Sequence, residues 1–236
     1  MRLAQRVRTP FVNTRPVHLS GPLWFPDARQ AARGGGYDGL VAIGGDLSVP
    51  RLLLAYRSGI FPWTDNPVTW WSPDPRAIFE LDHFRPPESL VRALRKEVFQ
   101  ITMNRAFRRV MEGCAASARG RESTWITPAF IDAYTQLHQE GHAHSVECWQ
   151  ENELVGGIYG VAIGGFFAGE SMFHRESNAS KIALCHLVRH LRDHQFRLFD
   201  IQTLTPITSQ LGGVTIPREE FLRRLKAAVE FPVLLG

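Results

Sequence analysis

The chain has 236 residues, 44% of them hydrophobic, and a formal net charge of +4. That length fits one large domain or two small ones with a sizeable core, and the apolar fraction is that of an ordinary soluble globular protein. Only the glycine-rich run around residue 160 approaches the ~18 charge-free apolar residues of a membrane span, and its glycines make it a poor membrane helix. Met1 to Arg8 carries charge with no apolar stretch after it, so a soluble, unsecreted, cytoplasmic protein is expected, with no membrane partner. Cys114, Cys148 and Cys185 are odd in number and lack C-x-x-C spacing, which argues against a disulfide framework and a zinc site.

Up to about Pro75 the chain is dense in Gly, Pro and Trp and contains one clear helix. Ser48 is its N-cap, Pro50 lies in its first turn, Leu52 to Tyr56 form its body and Gly59 stops it. Loops and short strands should fill the remainder. Beyond it the pattern predicts strands near 77–82, 98–102, 143–150, 153–163, 166–170 and 197–202, and helices near 88–97, 104–117, 127–140, 178–194 and 217–229. The expected class is α+β (mixed α/β), with a small irregular lobe over residues 1–76 packed on a larger one over 77–236.

Charge is unevenly spread along these elements. Between Arg92 and Arg121 eight basic residues (Arg92, Arg95, Lys96, Arg105, Arg108, Arg109, Arg119, Arg121) face only Glu97 and Glu112, a local +6. Such a patch suits a phosphate-rich partner, although a solvated helix surface would look the same.

Three constellations could carry chemistry. The run Leu154 to Phe173 turns at Gly164-Gly165 and ends on a single carboxylate, Glu170, which reads as a hairpin. It is either a plain core element or the wall of a pocket with an acid in it, its strand glycines leaving room for a ligand at the backbone. In Phe199-Asp200-Ile201-Gln202 a period of two puts Asp200 and Gln202 on one face and Phe199 and Ile201 on the other. Trp63, Trp70, Trp71 and Trp125, with Tyr56 and Phe61, form either a loop mini-core or an aromatic cavity for an apolar side chain or nucleobase. His138, His142 and His144 have no matching ligand set, and the chain has no G-x-S-x-G, Walker A or dinucleotide-binding glycine pattern.

The strings Gly44-Gly45-Asp46-Leu47-Ser48, Gly59-Ile60-Phe61-Pro62-Trp63, Trp70-Trp71-Ser72-Pro73-Asp74-Pro75-Arg76, Thr124-Trp125-Ile126, Gly141-His142-Ala143-His144-Ser145-Val146-Glu147, Leu154-Val155-Gly156-Gly157 and Gly169-Glu170-Ser171-Met172-Phe173 together resemble the leucyl/phenylalanyl-tRNA-protein transferase family. The resemblance runs in order from about residue 39 to 218. It implies a bacterial aminoacyltransferase with a small N-terminal domain and a GNAT-like C-terminal domain. Such an enzyme moves Leu, also Phe, with Met a further candidate, from Leu-tRNA or Phe-tRNA to the N-terminal Arg or Lys of an acceptor protein, marking it for N-end-rule degradation. A monomer without cofactor or metal is expected.

Carried over by position, the family's side-chain pocket falls on Trp63, Trp125, Ile158 and Phe167, with aromatic site positions at Tyr56 and Tyr134. The catalytic Asp-x-Gln pair falls on Asp200 and Gln202, with Glu170 beside it. Contacts to tRNA fall on Arg92, Arg95 and Lys96, a sparser cluster than the family's, and so lean on Arg105, Arg108 and Arg109. Thr205 to Gly213 departs from the family, which has Asn and His there.

Aminolysis of an aminoacyl ester is downhill, and an α-amine with a pKa of about 7.7 to 8.0 needs little activation, so positioning can supply most of the rate. The Gln202 carbonyl, polarised through Asp200, is expected to aim the amine; concerted removal of the amine's proton by the leaving ribose oxygen is a rival, and Asp200 or Glu170 could also attract the cationic N-terminal residue. Two rivals are an acetyl-CoA-dependent GNAT enzyme, disfavoured because Ser171 to Ser177 lacks glycine, and a non-catalytic tRNA-binding module.

Overall fold

The computed structural model describes residues 16–34, 36–116, 124–233 and 235. Its strands fall into two sheets that divide the chain between Trp71 and Arg76. The first comprises β1 (Val17–Leu19), β2 (Leu40–Gly44), β3 (Phe61–Asp65) and β4 (Val68–Trp71), in the order β1-β2-β4-β3. Between β2 and β3 runs the expected helix α1 (Val49–Arg57), burying Val49, Leu52, Ala55 and Tyr56 along one stripe. Ser48 precedes it without a side-chain cap bond, and the Ser48 amide donates to Asp46.

The second sheet comprises β5 (Arg76–Phe79), β6 (Gln100–Met103), β7 (Ala143–Gln150), β8 (Glu153–Ile163), β9 (Phe166–His174), β10 (Leu198–Gln202) and β11 (Val214–Ile216). Its order is β11-β5-β10-β9-β8-β7-β6. All neighbours are antiparallel except β9 and β10, which the crossover helix α5 (Ala179–Asp193) joins in parallel. Helix α2 (Glu88–Arg95) packs on α5 on one face, while α3 (Phe107–Ala115) and α4 (Pro128–Gln139) cover the other. Helix α7 (Arg218–Glu230) packs against β9, β10 and α1. β8 is therefore buried along nearly its whole length, as a strand with helices on both faces must be.

Of the strand glycines expected to admit a ligand, Gly169 lines a cavity, whereas Gly156, Gly157 and Gly160 are sealed by protein. A Cβ at Gly156 would stand 2.5 Å from that of Ala179, and one at Gly157 would meet Val110 and the Val146 carbonyl. At Gly160 it would run into the Phe167 ring and the Ala168 carbonyl. These glycines let helices and rings approach the sheet. β9 runs four residues past its expected end because the pairing to β8 skips Glu170 in a bulge, between Gly169 opposite Gly160 and Ser171 opposite Tyr159, and then continues as far as His174. β11 and the five-residue α6 (Pro206–Gln210) were not expected. Both are too short to show a period, and the α6 capping box uses Thr208 where Glu or Gln is usual.

Candidate active site

β9 and β10 pair only at Phe166 with Leu198, Phe167 with Phe199 and Ala168 with Asp200. Past that point β9 stays with β8, while β10 slips register against β5 between Asp200 and Gln202. Gln202 there takes a left-handed φ of 62°. The fork between the two strands opens into a cavity of about 470 Å³. Ile158 and Met172 line it from β8 and β9, Leu184 from α5, Phe79 from β5, and Phe199 and Ile201 from β10. Phe61, Trp63 and Trp125 close it from the other side, and Thr205 to Thr208 form its lip.

Of the residues expected here, Trp63, Trp125, Ile158, Glu170 and Gln202 line the cavity. Phe167 is buried behind it, its ring edge-on to Phe199 at 5.5 Å. Trp70 belongs to a mini-core, with its indole N–H on the Gly44 carbonyl and Phe25 edge-on. The regular alternation expected for Asp200 and Gln202 is broken. The bulge at Ile201 turns Ile201 and Gln202 both toward the cavity, and Asp200 faces away from it. The apolar side of that strand, Phe199 and Ile201, is thus the cavity side. Read as a candidate wall, that alternation could have revealed both residues from the sequence.

A chain of polar groups runs behind the wall. Tyr56 donates its O–H to Glu170 Oε1 at 2.7 Å, and Gln202 Nε2 donates to the same oxygen at 2.9 Å. Tyr134 joins from behind by its bond to the Tyr56 hydroxyl. Asp200 accepts the Gln202 backbone N–H at 2.8 Å and is clasped by Arg76. Glu170 is half-buried, and its Oε2 has no partner among the described residues; the same holds for the Tyr159 hydroxyl. Burial lifts the Glu170 carboxyl to about 7, outweighing the two donors, which favour its ionised form. Burial, reinforced by the Glu170 charge, holds the Tyr56 and Tyr134 hydroxyls well above their ordinary range, so both stay protonated donors.

The basic residues divide into two groups that flank the edge strand β6. Arg92, Arg95 and Lys96 are exposed on and just after α2. Arg105, Arg108 and Arg109 surround the start of α3 on the opposite face of the sheet, whereas Arg119 and Arg121 lie outside the described residues. The Arg105 and Arg109 guanidinium groups sit 5.5 and 5.2 Å from the Trp149 ring centre. Arg108 is paired to Glu112 at 3.2 Å and Asp132 at 2.8 Å. His138 bonds the Ala143 carbonyl and stacks on Phe107, and His144 contacts Asn104 and the Gly141 carbonyl. Among the described residues no cluster of three metal-binding side chains occurs, and no helix is long and apolar enough to cross a membrane.

The model of the leucyl/phenylalanyl-tRNA protein transferase family matches residues 78–226, and that of the family's N-terminal domain matches 45–74. The chain is 50% identical over 203 residues to a leucyl/phenylalanyl-tRNA--protein transferase of Shewanella denitrificans, covering 85% of each chain. It is 51% identical over 215 residues to the transferase of Solidesulfovibrio magneticus, covering 90% of this chain and 85% of the relative. Among solved structures, a GCN5-related N-acetyltransferase-like protein from Streptococcus suis is similar at 14% identity and a TM-score of 0.34, over 61% of this chain and 57% of that one. L-PGS from Bacillus licheniformis is similar at 14% identity and a TM-score of 0.39, over 73% and 55%. Likenesses that slight leave the mixed α/β fold to rest on the strand order above.

Proposed function

We propose that this chain, an aminoacyltransferase that belongs to the leucyl/phenylalanyl-tRNA protein transferase family, moves Leu or Phe, with Met a further candidate, from tRNA to the N-terminal Arg or Lys of a protein. The product would be marked for N-end-rule degradation in the cytoplasm. One observation carries the reading: an apolar cavity at the β9/β10 fork whose wall presents a single carboxyl, Glu170, with a buried oxygen unengaged.

The cavity takes the donor's side chain. Ile158, Met172 and Leu184 give it pliant apolar walls that accept Leu or Phe, while side chains branched at Cβ meet the wall close to the backbone. Shape alone can discriminate by about 1 to 3 kcal/mol. Glu170 faces the incoming amine. With Oε1 occupied by Tyr56 and Gln202, Oε2 is the atom left without a partner; it is buried here, so the acceptor's α-ammonium engages it once the carboxyl turns toward the cavity. A carboxyl near 7 is matched to an amine of pKa about 7.7 to 8.0 and can take its proton. The neutral amine then attacks the ester carbonyl, the amide C–N bond forms, the ester C–O bond breaks, and the proton lost by the attacking amine passes to the leaving ribose oxygen.

Gln202 spends its amide N–H on Glu170, which leaves its carbonyl as the end able to accept an N–H from the amine. Asp200 has both oxygens occupied and acts through the Gln202 backbone, not through its side-chain carbonyl. Incubating the protein with labelled Leu-tRNA and an Arg-initiated peptide should yield a peptide one Leu longer. Tight binding of the tRNA without transfer would overturn the enzymatic reading in favour of a binding module.

A further inference from the structure

Arg76 closes one of the strings that carry the resemblance but was given no role there, yet it is among the most enclosed charges of the described residues, 1% exposed against an Asp200 that is fully buried. Its guanidinium spans both carboxylate oxygens, Nε to Oδ1 at 2.8 Å and Nη2 to Oδ2 at 2.6 Å. The remaining nitrogen, Nη1, donates to the Gly59 carbonyl at 3.2 Å. The rings of Phe61 and Phe221 lie 4.8 and 4.4 Å from its central carbon, so the group is fixed by aromatic contacts as well as by hydrogen bonds.

Each hydrogen-bonded end leads to the same atom. Through Asp200, Arg76 anchors the backbone N–H of Gln202 in its left-handed conformation, and the Gln202 side chain donates to Glu170 Oε1. Through Gly59, Arg76 holds the end of α1, three residues after Tyr56, whose hydroxyl is the second donor to Oε1. We infer that Arg76 is a positioning residue for transfer: it aligns the two donors that occupy one oxygen of Glu170 and so leaves the other for substrate. It touches neither the cavity nor the reacting atoms. This inference rests on the transferase reading and adds to it a distant control on the Glu170 carboxyl.

Arg76→Lys tests it, because an ammonium keeps the charge but cannot span two oxygens and a carbonyl in one plane. Single-turnover transfer at saturating Leu-tRNA should fall about tenfold or more, since small misplacements of reacting groups cost rates of that order. The KM for Leu-tRNA should stay within about twofold, and Arg76→Lys combined with Gln202→Ala should be no slower than Gln202→Ala alone, as expected of residues acting through one another. A folded Arg76→Lys protein with the wild-type rate, or losses that multiply in the double variant, would overturn it. Should Arg76→Lys fail to fold, Arg76→Gln with Asp200→Asn removes the buried charges together. That protein should also transfer slowly, and a wild-type rate in it would overturn the inference. Wild-type protein that transfers nothing refutes the transferase reading instead; the φ of Gln202 in a crystal structure of Arg76→Lys then decides the Arg76 link, retention of the left-handed conformation counting against it.

Discussion

The two edges of β9 meet opposite fates. Along β8 its pairing runs from Phe166 to His174, and the glycines that look like openings are filled by Ala179, Val110 and Phe167. Along β10 the pairing stops after Ala168, and there an aromatic cavity, a carboxyl and an amide meet. The same strand thus contributes core where every group finds an internal partner and a site where one does not. A glycine-rich apolar hairpin is ambiguous between the two until its pairing is known.

The largest test of that contrast is Phe167→Ala. The ring is buried and packs on Phe199, so its removal should cost about 3 to 5 kcal/mol in equilibrium denaturation, as a core cavity does. Whatever protein remains folded should keep its preference between Leu and Phe. Wild-type stability with that preference altered would return Phe167 to the pocket wall.

Glu170→Gln probes the fork. The folded carboxyl titrates near 7 against an ordinary 4.5, so both folded and unfolded states are protonated at lower pH and stability is then undiminished. As pH rises from 4.5 toward 7 the unfolded chain ionises first, and wild type should lose up to about 3 kcal/mol, with no further loss above 7. In Glu170→Gln this slope should vanish, along with the fall in transfer rate below about pH 7. Unfolding curves taken from pH 4 to 8 that have the same slope in both proteins would show that the carboxyl is not held out of water.

Trp125→Ala should act on transfer more than on stability, because the ring is half-buried at the cavity mouth and edge-on to Phe130. Transfer of Leu and Phe should fall about 10- to 200-fold, the value of a lost apolar wall, with tRNA affinity nearly unchanged. A matching loss of affinity for uncharged tRNA would place Trp125 on the RNA instead of the side chain.

Much of this was legible in the sequence. Helices α1, α3, α4, α5 and α7 announce themselves by their apolar spacing, and the hairpin by Gly164-Gly165 between strands. Trp63, Trp125, Ile158, Glu170 and Gln202 were placed at the cavity by resemblance before the fork was known. What escaped has physical causes. Counting alternate residues assumes an unbroken ladder, and the bulge at Ile201 turns Gln202 onto the cavity face that Phe199 and Ile201 already share, leaving Asp200 behind it. The Arg76–Asp200 pair joins residues 124 apart, so neither has a local pattern to betray the other.

The contrast between partnered and unpartnered groups recurs, at its smallest scale, among the arginines of α3. Arg108 already satisfies two carboxylates, Glu112 and Asp132, so a phosphate would have to displace them. Arg105 and Arg109 have no acidic partner within ion-pair distance among the described residues, and Trp149 holds both at the rim of a cleft also lined by Asn104, His138 and Asn152. Each phosphate neutralised releases counterions, which lowers the slope of log affinity against log salt by about one. Arg105→Ala and Arg109→Ala should therefore each flatten that slope for Leu-tRNA by about one unit, and Arg108→Ala should leave it unchanged. Titrations between about 50 and 200 mM salt resolve such a difference. Equal flattening in all three variants would mean that tRNA opens the Arg108 pairs, and that exposure to the partner, not the absence of an internal one, selects the arginines that bind it.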